Sequence, residues 1–261
     1  MDGLPVLVRP EQEFLIGDAT AYAAAWKRTK WAVRREAISE LPYVRWPGWK
    51  QKAQSFRELL AILGPPHERK VVDVGAGTGW LSHRLVQAGF RCFATDISPD
   101  YDVGLGAATR FDNEPNWFDR AIATLDHWPF RSASIDIAIC NACLHYLADP
   151  RGAIAEAARV LRTGGIFVIM NSPVHRDPES AIRAARHFRK HLQGLGAYGG
   201  LLCSHQHFVA SELESRIQDH FIEVRRHDPR NSFWFDTVRV LKSAVYGVEL
   251  ASFPIYESQA P

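Results

Sequence analysis

Cysteine, long apolar runs and excess charge are all scarce in this chain of 261 residues. Four cysteines are too few for a disulfide scaffold, so the sequence predicts reduced thiols. No apolar stretch approaches the ~20 residues that span a bilayer, which excludes a membrane span. Residues 1–10 lack a basic start followed by an apolar run, so we expect no secretory signal and a cytoplasmic location. Hydrophobic residues at 46% and charged residues at 23% predict a folded globular protein.

Positive charge is concentrated in residues 27–57, which contain nine basic and two acidic residues and so have a local net charge of +7. Tryptophans and tyrosines lie between the basic residues, a pattern that nucleic-acid surfaces use. The same pattern fits amphipathic helices whose aromatic side chains pack on a domain. Because the net charge of the whole chain is only +2, nucleic acid is not the expected partner.

Proline and glycine divide the chain into helices followed by an alternation of strands and helices. Helices are predicted in residues 11–63, with breaks at Leu41-Pro42 and Trp46-Pro47-Gly48 and one helix over 49–63. Strands are then predicted at 71–74, 91–96, 135–140 and 165–170, with helices at 79–88 and 151–161 between them. Further along, we expect helices at 178–193 and around 234–245, and strands at 221–226 and 252–256. This alternation is typical of a mostly parallel sheet covered by helices on both faces.

A glycine-rich turn follows the first strand, with Asp73 inside the strand and Gly75, Gly77 and Gly79 after it. Glycines at a strand exit allow a ligand to approach the backbone. A dinucleotide fingerprint would place its third glycine one position after Gly79, where Trp80 stands. The spacing therefore argues against a nicotinamide dinucleotide.

This turn resembles the first motif of the class I S-adenosylmethionine-dependent methyltransferases, an acidic residue followed by Gly-x-Gly-x-Gly. The resemblance continues at Asp96 and Ile97, which match the acid that binds both ribose hydroxyls and the apolar residue against adenine. Leu125-Asp126-His127 is similar to the segment that meets the adenine amino group. Residues 135–145 resemble the fourth strand with its exit loop, and 159–165 the turn before the fifth strand.

The resemblance, closest to the type 11, ubiquinone/menaquinone-methyltransferase-like subgroup, implies a fold and a cofactor. The implied fold is a Rossmann-like αβα sandwich with a seven-stranded, mostly parallel sheet of order 3-2-1-4-5-7-6 and an N-terminal helical extension. S-adenosylmethionine is the implied cofactor and S-adenosylhomocysteine its product. The implied cofactor-binding residues are Asp73, Gly75, Ala76, Gly77, Gly79, Asp96, Ile97, Leu125, Asp126, His127, Asn141 and Ala142.

The family places acceptor selection outside these motifs, which implies a division of the chain. We expect residues 1–64 to form a helical extension or lid. Residues 65–261 then form the cofactor-binding domain, with an insert at about 171–210 that covers the substrate. Candidate substrate contacts come from two places. The broken N-terminal loop supplies the aromatic residues Tyr43, Trp46 and Trp49, and the segments after the fourth and fifth strands supply Tyr146 and Arg176.

The resemblance implies methyl transfer to an oxygen, nitrogen or carbon of a small molecule. The loop at 141–144 lacks the Pro-Pro-aromatic motif of nucleobase amino methylation, and neither Cys140 nor Cys143 follows a proline as in pyrimidine C5 methylation. His145 and His175 are the candidate bases. No metal is expected, because Cys140 and Cys143 lack a second ligand pair. A nucleic-acid methyltransferase that uses the basic N-terminal segment, another S-adenosylmethionine-dependent reaction and a non-catalytic binding protein remain alternatives.

Overall fold

Seven strands form one central sheet in the computed structural model, which describes residues 3–46, 48–112, 117–229 and 250–261. The strands are β1 (Lys70–Val74), β2 (Arg91–Asp96), β3 (Asp119–Ile122), β4 (Ile135–Asn141), β5 (Leu161–Met170), β8 (Ile222–His227) and β9 (Ile255–Gln259). A separate parallel pair is formed by β6 (Val174–His175) and β7 (Phe208–Val209). The sheet order is β3-β2-β1-β4-β5-β9-β8, and only β9 runs antiparallel to its neighbours. Counted within this sheet the order is 3-2-1-4-5-7-6, which confirms the predicted fold.

Seven α-helices pack around the sheet within the described residues. They are α1 (Phe14–Trp26), α2 (Trp49–Leu63), α3 (Trp80–Gln87), α4 (Arg151–Val160), α5 (Pro178–Gly194), α6 (Gly200–Ser204) and α7 (Ala210–Gln218). Short 3-10 turns occur at Pro10–Gln12, Arg35–Glu40, Leu105–Phe111 and Leu144–Tyr146. The predicted helix over 49–63 coincides with α2, because Gly48 and Gly64 flank it with positive φ angles that most residues avoid. None of the described helices is long and apolar enough to cross a bilayer.

Alternating side chains of the strands build two core clusters, one on each face of the sheet. On β1, Val72 and Val74 join the cluster that α4 and α7 cover. Val71 joins the opposite cluster, which α2 and α3 cover. Because strand side chains alternate between faces, Asp73 shares the face of Val71 and is buried there with the apolar residues. This two-sided burial accounts for the apolar strands that the sequence shows.

The order of the strands creates a crevice at one edge of the sheet. From β1 the chain builds outward through β2 to β3, and then crosses over to β4 on the other side of β1. The carboxyl ends of β1, β2 and β4 therefore lie at the edge where open α/β sheets bind ligands.

Several strands differ from the predictions made from the residues: β5 begins at Leu161, four residues before the predicted start, and the short strands β6 and β7 were not predicted. β3 was not predicted, since it has only four residues, begins with Asp119 and Arg120, and shows no apolar run. The predicted strand at 252–256 lies three residues early, because β9 begins at Ile255, just after Pro254, which lacks the N–H that a central strand needs. The helix predicted around 234–245 lies outside the described residues. All four cysteines are free thiols.

Candidate functional site

A cavity of about 240 Å³ opens at the carboxyl ends of β1, β2 and β4. Its sheet side is lined by residues 75–78, 96–98, 102–103, 125 and 141–143. Its other walls come from the N-terminal helices, α3 and the loop after β4. The side chains of these walls are Ala19, Tyr22, Ala23, Trp26, Trp31, Val33, Leu41, Trp49, Lys52, Trp80, Tyr146 and Leu201.

Gly75, Gly77 and Gly79 serve different purposes in the turn after β1, although all three have positive φ angles. A Cβ atom on Gly75 would lie 2.3 Å from the Cβ of Cys143, so this glycine permits close packing. A Cβ atom on Gly77 would meet only the carbonyl oxygen of Val103, at 3.8 Å, so the space beside it belongs to the cavity. Gly79 caps α3 and lies against Phe118, outside the cavity lining. Its predicted contact with the cofactor is therefore replaced by a packing role.

Asp96 ends β2 on the cavity wall, and backbone donors hold both of its carboxylate oxygens. The N–H of Gly77 donates to Oδ2 and the N–H of Ser98 donates to Oδ1, each at 2.7 Å. Burial raises the pKa of Asp96, and these backbone hydrogen bonds oppose that rise. Each carboxylate oxygen keeps a lone pair that can accept a hydroxyl. This arrangement fits a diol such as ribose, and Ile97 supplies the adjacent apolar wall.

Asp73 lies beneath the turn and not on the cavity wall. It is fully buried, and the hydroxyl of Ser82 donates to its Oδ2 at 2.8 Å. Burial raises the pKa of Asp73 to about 7, and the neighbouring charge of Asp96 adds to this rise. The structure does not place Asp73 in contact with a ligand, because its side chain points into the core between the sheet and α3.

The predicted adenine segment reaches the cavity at only one residue. Leu125 lines the wall, whereas Asp126 and His127 do not. The amide of Gln12 donates to both oxygens of Asp126, at 3.2 and 3.1 Å. Arg9 Nη2 lies 3.1 Å from His127 Nδ1. Residues at and just before the N-terminal 3-10 turn therefore contact Asp126 and His127, the two residues for which a contact with adenine was predicted.

Asn141 and Ala142 line the cavity at the end of β4, where a hydrogen-bond chain orients the amide of Asn141. Asn171 Nδ2 donates to Asn141 Oδ1 at 2.9 Å, and the hydroxyl of Ser55 on α2 donates to Asn171 Oδ1 at 3.0 Å. Asn141 Oδ1 therefore accepts one hydrogen bond already, and the amide nitrogen of Asn141 is available as a donor. Ala142 and Asn171 both have φ of +56°, so the backbone around this chain is strained.

The aromatic wall of the cavity consists of Tyr22, Trp26, Trp31, Trp49, Trp80 and Tyr146, and one cation, Lys52, lines the cavity with them. The hydroxyls of Tyr22 and Tyr146 lie 2.8 Å apart. Burial raises the pKa of Tyr146 to about 12, so this phenol is protonated at neutral pH. Lys52 Nζ lies 4.2 Å from the centroid of the Trp49 ring, and burial lowers the pKa of this lysine to about 8.

Three residues that line the cavity were not predicted from the sequence as site residues, namely Tyr22, Trp26 and Lys52. Ala19, Tyr22, Ala23 and Trp26 recur at helical spacing and form the face of α1 that lines the cavity. Lys52 follows Trp49 by three residues on α2, so both lie on one helical face. This periodicity was visible in the sequence, but it does not tell a cavity wall from an ordinary packed face.

The structure divides the candidate substrate residues. Trp49 and Tyr146 line the cavity. Tyr43 is 58% exposed, and the indole N–H of Trp46 donates to the carbonyl of Lys30 at 2.8 Å. Arg176 is exposed at the start of the segment that leads into α5. These last three residues lie outside the cavity lining.

The two candidate bases lie behind the cavity wall in a row of buried histidines. The ring of His145 lies 5.1 Å from that of His205, and the ring of His205 lies 5.4 Å from that of His207. His175 Nε2 lies 3.0 Å from His207 Nδ1. Burial lowers the pKa of His145 well below its ordinary value, the pKa of His205 to about 3 and that of His207 to about 4. Neither His145 nor His175 lines the cavity, so neither is placed to take a proton directly from an acceptor.

In the part of the chain that the structure describes, no three His, Cys, Asp or Glu side chains form a group that could hold a metal ion. Cys143 Sγ donates instead to the carbonyl of Val74 at 3.0 Å. Burial raises the pKa of this thiol well above its ordinary value, so it is neither a ready metal ligand nor a nucleophile.

Comparison with known proteins gives matches that centre on this site. Residues 72–169 match the family described as "Methyltransferase domain" of type 11. Over 103 residues, or 38% of this chain and 34% of the relative, the sequence is 40% identical to malonyl-[acyl-carrier protein] O-methyltransferase of Hahella chejuensis. Over 120 residues, or 46% of this chain and 48% of the relative, it is 32% identical to demethylmenaquinone methyltransferase of Tropheryma whipplei.

Among solved structures, similarity extends over almost the whole chain. A methyltransferase in complex with the Haloferax volcanii Trm112 methyltransferase activator superposes with a TM-score of 0.61 over 94% of this chain and 97% of that one. Its sequence identity is 17%, so it supports the fold alone. The chain spans between a third and a half of the length of the two curated relatives.

Proposed function

We propose that the protein transfers a methyl group from S-adenosylmethionine to a small-molecule acceptor, in keeping with the match of residues 72–169 to the type 11 methyltransferase domain. The observation that carries this proposal is the juxtaposition of Asp96 and the open space beside Gly77 with an aromatic wall in one cavity. The first two features suit the cofactor, and the third suits an acceptor with an apolar body.

The bound cofactor supplies an electrophilic methyl group on a sulfonium. The residues of this chain bind and align the two partners for an in-line displacement. Asp96 accepts hydrogen bonds from the ribose hydroxyls, and Ile97 packs against the base. The aromatic wall excludes water from the reacting atoms. Asn141, which lines the same cavity, would offer its amide nitrogen as a hydrogen-bond donor.

We also propose that residues 1–64 and the segment at about 171–210 cover the site. Three contacts support this role for α1. Asp18 accepts from the N–H of Gly200 at 2.5 Å, Tyr22 meets Tyr146, and Lys27 pairs with Asp100 at 2.8 Å. Since Leu201 also lines the cavity, the two covering segments meet above it.

The free thiols support the expected cytoplasmic location.

The alternative of a nucleic-acid substrate receives less support. Within the basic segment, Lys27 is paired with Asp100 and Lys52 lies inside the cavity, so neither forms part of an open phosphate-binding surface. The other alternative is a protein that binds the cofactor without catalysing a reaction. Such a protein would bind S-adenosylhomocysteine but form no methylated product. Mass spectrometry of an extract incubated with labelled S-adenosylmethionine tests for that product.

Calorimetry with S-adenosylhomocysteine tests the cofactor site. Asp96→Ala removes an acceptor of charge-assisted hydrogen bonds, so we expect affinity to fall by about 10- to 100-fold. Asp126→Ala is the matched control, since Asp126 is exposed and lies outside the cavity lining. Its affinity should equal that of the wild type. Unchanged binding by a folded Asp96→Ala variant would refute the proposed site.

A further inference from the structure

Lys52 is the sole basic residue among the described residues that line the cavity. The two acids of the lining, Asp96 and Asp102, both follow from β2. Asp96 is held by backbone N–H groups, and Asp102 lies 3.5 Å from Lys27. The cavity therefore has an acidic side at β2 and a single cation on α2.

No described acid forms an ion pair with Lys52. Its ammonium group lies over the Trp49 ring, and burial is the cause of its lowered pKa, with no nearby carboxylate to raise it. A half-buried cation without a counter-ion is unfavourable in the free protein, and an anionic ligand relieves that cost.

The surroundings of Lys52 describe the rest of the ligand. Trp49 and Tyr146 lie on the same wall, and Trp26 and Trp31 extend it, with ring centroids 5.8 Å apart. Aromatic side chains that line a cavity pack against apolar, ring-sized groups. Ser55 lies one turn after Lys52 on α2 and orients Asn141 through Asn171. Helix α2 therefore positions two hydrogen-bond donors at the cavity, the ammonium of Lys52 directly and the amide of Asn141 indirectly.

We propose that Lys52 is the anion-binding residue of the acceptor site, and that the acceptor carries a carboxylate or phosphate oxyanion on an apolar, ring-sized body. This inference rests on the proposed function, because it places an acceptor beside the cofactor. The amino-acid carboxylate of the cofactor offers the same chemistry, so the experiment separates the two sources.

The test uses the full chain saturated with S-adenosylhomocysteine and three pairs of probes: 2-naphthoate and 2-naphthamide, benzoate and benzamide, and phenyl phosphate and phenol. We expect at least one anion to bind about tenfold more tightly than its neutral partner, since hydrogen bonds to charged groups exceed neutral ones. Lys52→Met should abolish that preference, and Lys52→Arg should keep it. Lys50→Met is the matched control, because Lys50 is exposed on the same helix and lies outside the cavity lining.

Three outcomes would overturn the proposal. In the first, no anion binds the wild type more tightly than its neutral partner. In the second, the preference survives in Lys52→Met. In the third, Lys52→Met weakens S-adenosylhomocysteine but not 5′-methylthioadenosine, which lacks the amino-acid group, so that Lys52 holds the carboxylate of the cofactor. Loss of S-adenosylhomocysteine binding by the wild type would instead refute the proposed function.

Discussion

A carboxyl group under the glycine turn makes the stability of this protein depend on pH. Asp73 shares the core with apolar side chains, and one hydroxyl, that of Ser82, donates to it. The pKa of Asp73 is about 7 in the folded chain, whereas an aspartate in an unfolded chain has a pKa of about 4. Between these values the folded state binds more protons than the unfolded state. Stability from this group is therefore complete below pH ~4 and is lost as pH rises towards 7.

Asp73→Asn should remove that dependence, because an amide does not ionise. From pH 5 to pH 8 the free energy of unfolding of the wild type should fall relative to that of the variant by about 2 to 3 kcal/mol. Urea unfolding of both proteins at the two pH values measures the difference. Parallel pH profiles for the two proteins would show that Asp73 does not titrate in this range.

Substitutions at Gly77 and Gly64 separate two effects of a side chain, loss of space for the ligand and strain in the backbone. Gly77 and Gly64 have φ of +54° and +64°, and a Cβ atom on Gly64 would meet nothing within 4 Å. Gly77→Val and Gly64→Val should both lose about 1 to 3 kcal/mol of stability through strain. Only Gly77→Val should lose affinity for S-adenosylhomocysteine by calorimetry, since its side chain projects into the cavity. Equal affinities of the two variants would contradict the role of the turn.

The sequence predicted those residues of the site that lie close together on the chain. The glycine turn and Asp96 are recognisable because each follows directly from a strand whose apolar pattern is clear. Lys52 and Tyr22 come from helices that precede the first strand, and only tertiary packing brings them to the cavity. Asp126 has the expected position in the sequence, yet Gln12 reaches it from the N-terminal turn. Such contacts between distant segments leave no local signal.

At the scale of elements, helix α1 is held over the cavity by few and specific contacts. Asp18 accepts from the N–H of Gly200, and a Cβ atom on Gly199 would lie 2.3 Å from Asp18 Oδ1. The four buried residues of the small cluster between α1, α5 and α6 are Ala25, Leu192, Ala197 and Leu202. Because this cluster is so small, α1 is expected to open more readily than the sheet.

Asp18→Ala should therefore loosen the cover without affecting the sheet. Losing a charge-assisted hydrogen bond should accelerate amide hydrogen exchange in α1 and α6 by about tenfold. Exchange in β1, β4 and β5 should not change. Glu13→Ala serves as the control, since Glu13 precedes the same helix and its side chain makes no capping hydrogen bond. Equal protection of α1 in all three proteins would argue against a separately opening lid.

Helices and strands with a clear sequence signal at both ends were predicted most accurately. β2 and α2 have the predicted bounds, because glycine, proline or a change of periodicity stands at each end. β3 lacks these signals, since half of its four residues are charged and its place in the sheet depends on pairing with β2. The sheet order itself follows from family resemblance and not from any pattern in the residues.

At the scale of the whole molecule, we propose that the cofactor and the acceptor meet different parts of the chain. The cofactor side is built from residues 75–103 and 125–143, within the region that matches the methyltransferase family. The acceptor side is built largely from residues 19–52, with Leu201 from the segment after β5. Acceptor specificity can therefore change through the N-terminal helices while the sheet and the cofactor contacts stay the same.

The position of β9 has a consequence for synthesis on the ribosome. β9 lies between β5 and β8, and its residues Ile255 and Tyr256 are almost wholly buried. Five parallel strands can assemble once residue 170 has left the exit tunnel, but β8 has no neighbour in the sheet until β9 has been translated. Elongation at about 5 to 20 residues per second therefore leaves the exposed side of β5 open for some seconds. During that interval the nascent chain presents an apolar strand edge on which chaperones act.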